Sequence, residues 1–413
     1  MRNYFKWLGI ITLIAALLAT GGIACDGEEE ETPTPTEAPT ATAEPTEAPK
    51  EAYKVGAVFA VTGGASNLGD PEKKTVEMME EQINALGGVN GHPLEVIVYD
   101  TATDETQCVT MATRLIEQDE VLAIIGPTTS GESMAIIDTV TTAEIPLVSC
   151  AAALSIVSPV EDRYWVFKTP QTEVEAVNEI YAYMQEKGIT KVAIITNTNA
   201  FGEAGKTYLE SDAADYGITI VANQLFNPED VDMTAQLTSI KGTDAEAVVC
   251  WSTDKESAVV ADNMMTLQME IPLFCSHGVA NPNFITQAGV AANGVKFPAG
   301  KLLILDIVPD TDPQKSILTQ YTAAYEAIHG EGTINTFGGH AFDALSLVTI
   351  ALEDVEDGMS LAEARAAVRD SLETAEFAGT GGVFAMSATD HLGMAPGSLA
   401  MIEVVDGEWA LAE

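Results

Sequence analysis

Histidine, cysteine, serine and one glycine-rich run are what this chain offers for chemistry, and their spacing decides among metal, nucleophile and binding roles. The five histidines (His92, His277, His329, His340 and His391) are scattered, without the intervals of a metal pair and without an HExxH motif. No GxSxG elbow positions a serine nucleophile. The segment VTGGASNLGD at 61–70 is rich in glycine, yet it has neither GxGxxG nor a lysine placed for phosphates, so nucleotide binding is disfavoured. Enzymatic chemistry therefore has no positive support.

Binding chemistry has more. Thr129-Ser130-Gly131 follows the apolar run VLAIIG and precedes a helical stretch. A helix start offers unpaired N–H groups with positive partial charge, and a serine hydroxyl adds a donor, which together suit a small carboxylate. The competing reading is that Ser130 or Ser133 only caps its own helix. Among the cysteines, Cys250 and Cys275 sit near the ends of consecutive strands. An export-compartment disulfide is one reading. Buried thiols are favoured over it, because cysteines paired directly across adjacent strands are uncommon and free cysteine packs as a small hydrophobe. A metal site using His277 beside them would need a spacing that is not a recognised one.

The elements that must position these residues alternate. YKVGAVFA is a short apolar strand of the kind covered on both faces. Asp70-Pro71 opens a helix that Gly87-Gly88 closes, with Val76, Met79, Ile83 and Leu86 on one stripe. LEVIVY, VLAIIG and IPLVS follow as strands, and then a second series begins with KVAIIT, the segment Thr219–Phe226, AVVCW and PLFC. Helices separate them, one of them around Ala204–Tyr216. The fold class is α/β: two doubly wound parallel-sheet lobes joined by a hinge that the chain crosses three times. Helices from Pro313 to Leu372 complete the first lobe, and the tail strands GGVFAM and SLAMIEVV complete the second. The expected division is 53–168 with 299–378 for lobe 1, and 169–298 with 379–413 for lobe 2. Doubly wound sheets bind at the carboxyl ends of their strands. That selects the loops Val61–Asp70, Pro127–Ser133, Cys150–Ser155, Thr196–Gly202, Trp251–Asp254 and Ser276–Asn281.

At 413 residues the chain exceeds one ordinary core. Its 62 acidic residues against 19 basic ones, a formal charge of −43, exclude nucleic acid as a partner and disfavour docking on an anionic membrane through a basic patch. The first residues read as a secretion signal: Arg2 and Lys6, an apolar run from Trp7 to Ala19, then Gly22-Ile23-Ala24-Cys25. The end of this 1–25 segment resembles a bacterial lipobox, which makes Cys25 the expected lipidation site, although Gly22 replaces the usual leucine. A plain cleavage or a retained membrane anchor are the alternatives. Residues 26–52, as in TPTPTEAPTATAEPTEAP, cannot bury a core and read as an extended tether.

From Tyr53 to Glu413 the chain resembles the leucine/isoleucine/valine-binding proteins, the type I periplasmic binding proteins that serve ATP-driven importers. INALGGVNGHPLEVIVYD and TGGVFAMSATDHLG carry the resemblance most specifically, supported by VLAIIGPTTSGESMAI, IPLVSCAAA, NTNAFGEAGK and HAFDALSLVTIAL. It implies a ligand cleft between the lobes. Ser130 matches the serine that holds the ligand carboxylate. Ala151 would offer a backbone group, and Ala153 stands where amino-acid binders have a threonine. Leu68 and Phe201 fall at side-chain pocket positions that are often aromatic, and Trp251 stands beside Thr253. Thr253 lies on the facing loop, and His277 replaces the acid that pairs with the ligand ammonium. The cystine of the first lobe gives way to Thr103 and Thr129.

An unpaired buried ammonium costs several kcal/mol, on the order of a buried unpaired charge. The departures at Ala153 and His277 therefore point to a small carboxylate, amide or aromatic acid rather than an ordinary α-amino acid, unless Asp254 or Glu256 supplies the missing charge. The expected partners are that small-molecule ligand and the membrane permease of an ABC importer, with the membrane met only through the lipid anchor. The expected protein is a monomer outside the cytoplasm, uses no cofactor and is not an enzyme. A ligand sensor of the same fold is the alternative, and an extracytoplasmic hydrolase a weaker one.

Overall fold

A computed structural model describes residues 50–413. The signal, Cys25 and nearly all of the tether lie outside the described residues.

Five strands form the first sheet: β1 (Tyr53–Phe59), β2 (Leu94–Asp100), β3 (Ala123–Ile125), β4 (Leu147–Ser149) and β5 (Val166–Lys168). Their order is β2-β1-β3-β4-β5 and every pairing is parallel. Successive strand residues point to opposite faces, so Val55, Ala57 and Phe59 enter one core and Val58 the other. The second of these cores is built with α2 (Glu105–Glu117) and α3 (Ser130–Thr142). The first is built with α1 (Ser66–Ala85) and three helices that arrive late in the chain.

The second sheet draws on β6 (Lys191–Asn197), β7 (Thr219–Phe226), β8 (Ala247–Trp251), β9 (Leu273–Cys275), β10 (Lys296–Gly300), β13 (Leu399–Val405) and β14 (Glu408–Leu411). Its order is β14-β13-β10-β9-β8-β6-β7, parallel except that β13 pairs antiparallel with both β10 and β14. On one face Val192, Ile194, Val249 and Trp251 meet α4 (Glu173–Glu186) and α5 (Ala200–Asp212). On the other, Ala193, Ile195, Val248 and Cys250 meet α6 (Thr234–Lys241), α7 (Asp254–Thr266) and α8 (Pro282–Ala288). The late helices are α9 (Lys315–His329), α10 (Thr336–Leu352) and α11 (Leu361–Leu372). All three contribute to the first-sheet core, through Tyr321, Leu345 and Val368 among others.

Three details depart from the sequence reading. Helix α1 begins at Ser66, so Pro71 lies inside it rather than at its opening. Helix α5 begins at Ala200, four residues early, because Asn199 Oδ1 accepts from the Gly202 N–H at 2.9 Å and starts the first turn. The segment GGVFAM does not join the second sheet. Val383–Ala385 (β12) pairs antiparallel with Glu376–Ala378 (β11) in a ribbon of its own. Met386 enters the first-sheet core and His391 stacks on Phe167 of β5, ring centroids 4.2 Å apart. The assignment of all of 379–413 to the second lobe is therefore corrected. The tail joins the second sheet only from Leu399, since a short ribbon with its own apolar cluster of Phe384, Leu392 and Met394 needs no larger sheet.

The chain passes between the sheets after β5, after β10 and again before β13. Parts of these passages surround one small cavity, lined by Gln171, Gly300, Thr380 and Gly381 and closed by Thr336 and His340 of α10. Asp343 ties the third passage down by accepting from Thr380 N at 2.6 Å and Gly381 N at 2.8 Å.

Candidate functional site

The carboxyl ends of both sheets converge, and the residues singled out from the sequence fall on two walls. On the first wall, Thr129 caps α3 through a reciprocal pair with Glu132: its Oγ1 accepts from Glu132 N at 3.3 Å while Glu132 Oε2 accepts from Thr129 N at 3.2 Å. The capping alternative for Ser130 and Ser133 thus falls. Ser133 bonds Ser149, Oγ to Oγ at 2.8 Å. Ser130 Oγ accepts from Ala153 N at 3.3 Å, which leaves its own proton to donate. Ala151 N donates to Ser149 Oγ at 3.1 Å. Ser130, Ala151 and Ala153 are therefore brought together, all buried. Leu68, in the first turn of α1, is buried on the same body.

On the second wall Phe201, Trp251 and His277 form a triangle of rings. Centroids are 5.8 Å apart for Phe201–Trp251, 5.2 Å for Phe201–His277 and 5.8 Å for Trp251–His277. Trp251 fits because residue 205 is glycine; a Cβ there would lie 2.2 Å from the indole. Trp251 Nε1 and both ring nitrogens of His277 are buried without a hydrogen-bond partner. Buried polar groups are ordinarily paired, so three orphans on one wall call for an explanation. Burial, then the charge of Lys168 and the neighbouring His340, hold His277 down to about 3, so the ring is neutral near pH 7. Thr253 stands at the start of α7 and makes no side-chain cap bond.

The two carboxylates that might have replaced the missing acid are engaged. Asp254 Oδ2 accepts from Asn67 Nδ2 at 3.0 Å, and burial pushes its carboxyl up to about 6. Glu256 Oε1 accepts from Glu229 N at 2.9 Å.

Sequence reasoning missed Lys168 and His340. Lys168 is fully buried at the end of β5, donating to Ala152 O at 2.6 Å and Pro170 O at 2.7 Å. Burial lowers it to about 8 against the opposing pull of Glu173, Glu175 and Asp390. It fixes the loop that carries Ala151 and Ala153. A lysine closing the apolar strand VFK just before Thr-Pro was the available signal. His340 Nδ1 is another buried orphan, at the small cavity between the sheets. Cys108, Cys150, Cys250 and Cys275 are buried free thiols, with Cys250 and Cys275 directly opposite on β8 and β9. No group of three or more His, Cys, Asp or Glu side chains among the described residues could hold a metal ion.

Residues 52–408 match the model of the periplasmic binding protein family. The chain belongs to that family. Its fold is the type I periplasmic binding fold of solved relatives. An extracellular ligand-binding receptor from Rhodopseudomonas palustris HaA2 superposes with a TM-score of 0.82 at 26% identity, over 88% of this chain and 100% of that one. The branched-chain amino acid transporter substrate binding protein LivJ of Streptococcus pneumoniae, solved with isoleucine, gives 0.77 at 24% identity over 88% and 99%. Among sequences, this periplasmic binding protein is 25% identical over 247 residues to Leu/Ile/Val-binding protein homolog 7 of Brucella abortus, spanning 57% of this chain and 58% of that relative's length. It is 23% identical over 307 residues, 74% of this chain and 78% of the other, to the leucine-, isoleucine-, valine-, threonine- and alanine-binding protein of Pseudomonas aeruginosa.

Proposed function

We propose that this protein is the solute-binding component of an ABC importer, working outside the cytoplasm as a monomer. Lipidated Cys25 and the tether would hold it to the membrane. The lobes, 53–168 with 299–378 and 169–298 with the closing strands, part and shut about the three passages. The ligand is a small amino-acid-like carboxylate or amide without an ammonium group.

One observation carries the ligand class: the unpaired polar groups of the second wall are Trp251 Nε1 and neutral His277, while the Asp254 and Glu256 carboxylates are hydrogen-bonded to Asn67 and to Glu229 N. The indole N–H, and one imidazole nitrogen when it carries the proton, suit carbonyl or carboxylate oxygens. An ammonium would stay unpaired there, at a penalty of several kcal/mol, on the order of any buried unpaired charge. Ser130 with its free proton holds the other end, while Phe201, Leu68 and Trp251 bound the apolar middle and Thr253 flanks them.

Calorimetry with L-leucine and with 4-methyl-2-oxopentanoate tests this directly, because the two share a side chain and a carboxylate and differ in the ammonium. The oxo acid should bind and leucine should not. Preference for leucine would refute the ligand class. Thermal unfolding gives a second readout: ligand at 1,000 times Kd stabilises by about 4.1 kcal/mol, and each kcal/mol raises the midpoint by roughly 2–4 °C for a domain the size of one lobe.

A further inference from the structure

The first turn of α1 has a gap in its hydrogen bonding that the opposite body fills. In an α-helix the N–H of residue 71 would bond the carbonyl of residue 67, but Pro71 has no N–H. The Asn67 carbonyl instead accepts from Asn281 Nδ2 at 2.8 Å. The Asn67 side chain donates to Asp254 Oδ2 at 3.0 Å. Asn67 belongs to the first-sheet body, whereas Asp254 and Asn281 stand at the starts of α7 and α8 on the second. One residue is thus held by backbone and side chain from two helix starts across the cleft.

The receiving groups are themselves fixed. Asn281 Oδ1 accepts from Asn283 N at 2.9 Å, which aims its Nδ2 away from its own helix. Asp254 is buried. One residue before Asn281, the Ala280 carbonyl accepts from Thr336 N at 3.3 Å and Thr336 Oγ1 at 3.0 Å, a second clasp from the first body.

We propose that Asn67 is the positioning residue that latches the cleft shut over its solute, and that Pro71 keeps the Asn67 carbonyl available to Asn281. This rests on the reading of capture by closure, but its test uses no solute. The full chain carrying Gly64→Cys and Glu229→Cys, which leaves Asn67 and Asp254 in place and pairs positions where a Cβ on residue 64 lies 4.0 Å from Glu229 Cγ, is oxidised with copper phenanthroline, and the cross-link between the introduced thiols is followed by peptide mapping. Its rate reports how often the lobes meet. Adding Asn281→Asp keeps the cap on α8, removes the donor and sets an oxygen against the carbonyl; cross-linking should slow about three- to tenfold, the worth of one hydrogen bond. Adding Pro71→Ala restores an intrahelical donor that competes for the carbonyl, and should slow it about two- to threefold.

An unchanged rate with Asn281→Asp overturns the latch. An unchanged rate with Pro71→Ala alone overturns the role of the proline. If Asn281→Asp does not fold, Pro71→Ala decides by itself, slowing in favour and constancy against. A slowed cross-link together with no binding of any carboxylate would sink the ligand reading and leave the latch standing.

Discussion

The two walls of the cleft are finished differently. On the first, Ser133 and Ala151 N bond Ser149, Ala153 N donates to Ser130, and Lys168 donates to backbone carbonyls. On the second, three buried nitrogens of Trp251 and His277 have nothing to bond. Among the groups named on the first wall the Ser130 proton is left to donate. Under the proposed function the second wall needs a ligand to pair these nitrogens. Selectivity should therefore sit mainly on Trp251 and His277, and the first wall should contribute a uniform hold on any carboxylate.

The sharpest way to break this comparison is to remove the second wall. Trp251 is fully buried against Gly205, in the core shared with α4 and α5. Trp251→Ala should lower stability by about 3–5 kcal/mol, the usual result of truncating a large buried side chain. Chemical denaturation measures it. A loss below about 1 kcal/mol, within the range of surface substitutions, would mean that Trp251 is not part of the core as well as of the wall.

Converting the second wall comes next. His277→Glu puts a carboxylate where the neutral ring stands, 5.2 Å from the centre of the Phe201 ring. Leucine should then gain affinity by about 3 kcal/mol, the scale of a buried charge that finds its counterpart, while 4-methyl-2-oxopentanoate loses. Calorimetry with both solutes decides it. A variant that binds neither would show that the wall reads shape rather than charge.

His277 and Trp251 also mark how much of the site the sequence pattern carries. YKVGAVFA and AVVCW were legible as strands because short apolar runs that recur between helical stretches fit strands of a parallel sheet covered on both faces. His277 and Trp251 were found as cleft positions. What could not be read was pairing at a distance. Asn67 looked like one more polar residue in a glycine-rich loop, since its bonds go to Asp254 and Asn281, more than 180 residues away. Pro71 looked like a helix opener because proline favours that place; only the opposing body supplies the compensation that lets it sit one turn inside. GGVFAM has the composition of a sheet strand, and composition is silent on which sheet. Lys168 stayed hidden because a fully buried lysine is rare, and its carbonyl partners come from loops with no pattern of their own.

A smaller effect sharpens the electrostatic half of the comparison. Burial holds His277 and His340 at about 3, against an ordinary value near 6.5. Between those values the unfolded chain binds protons that the folded chain refuses, so stability rises with pH across this window and is lost as pH falls below about 6.5. At pH 5 each ring should destabilise the closed protein by about 2 kcal/mol, from 1.36 kcal/mol per pH unit. His277→Gln should therefore narrow its stability deficit, or overtake the native protein, on going from pH 7.5 to pH 5. Parallel curves of melting midpoint against pH for the two proteins would show that the ring is not shielded from solvent.

The smallest expected effect tests the first wall. Ser130→Ala removes the proton the ligand would receive and also leaves the Ala153 N–H without its acceptor. Affinity for 4-methyl-2-oxopentanoate should fall by about 1.5 kcal/mol, the low end for a hydrogen bond to a charged group. More than the size of that loss is at stake: if this wall holds any carboxylate alike, the ratio of oxo-acid to leucine affinity in the His277→Glu background should stay the same with or without Ser130. A changed ratio would place part of the selectivity on the first wall, and the division of labour between the two walls would have to be withdrawn.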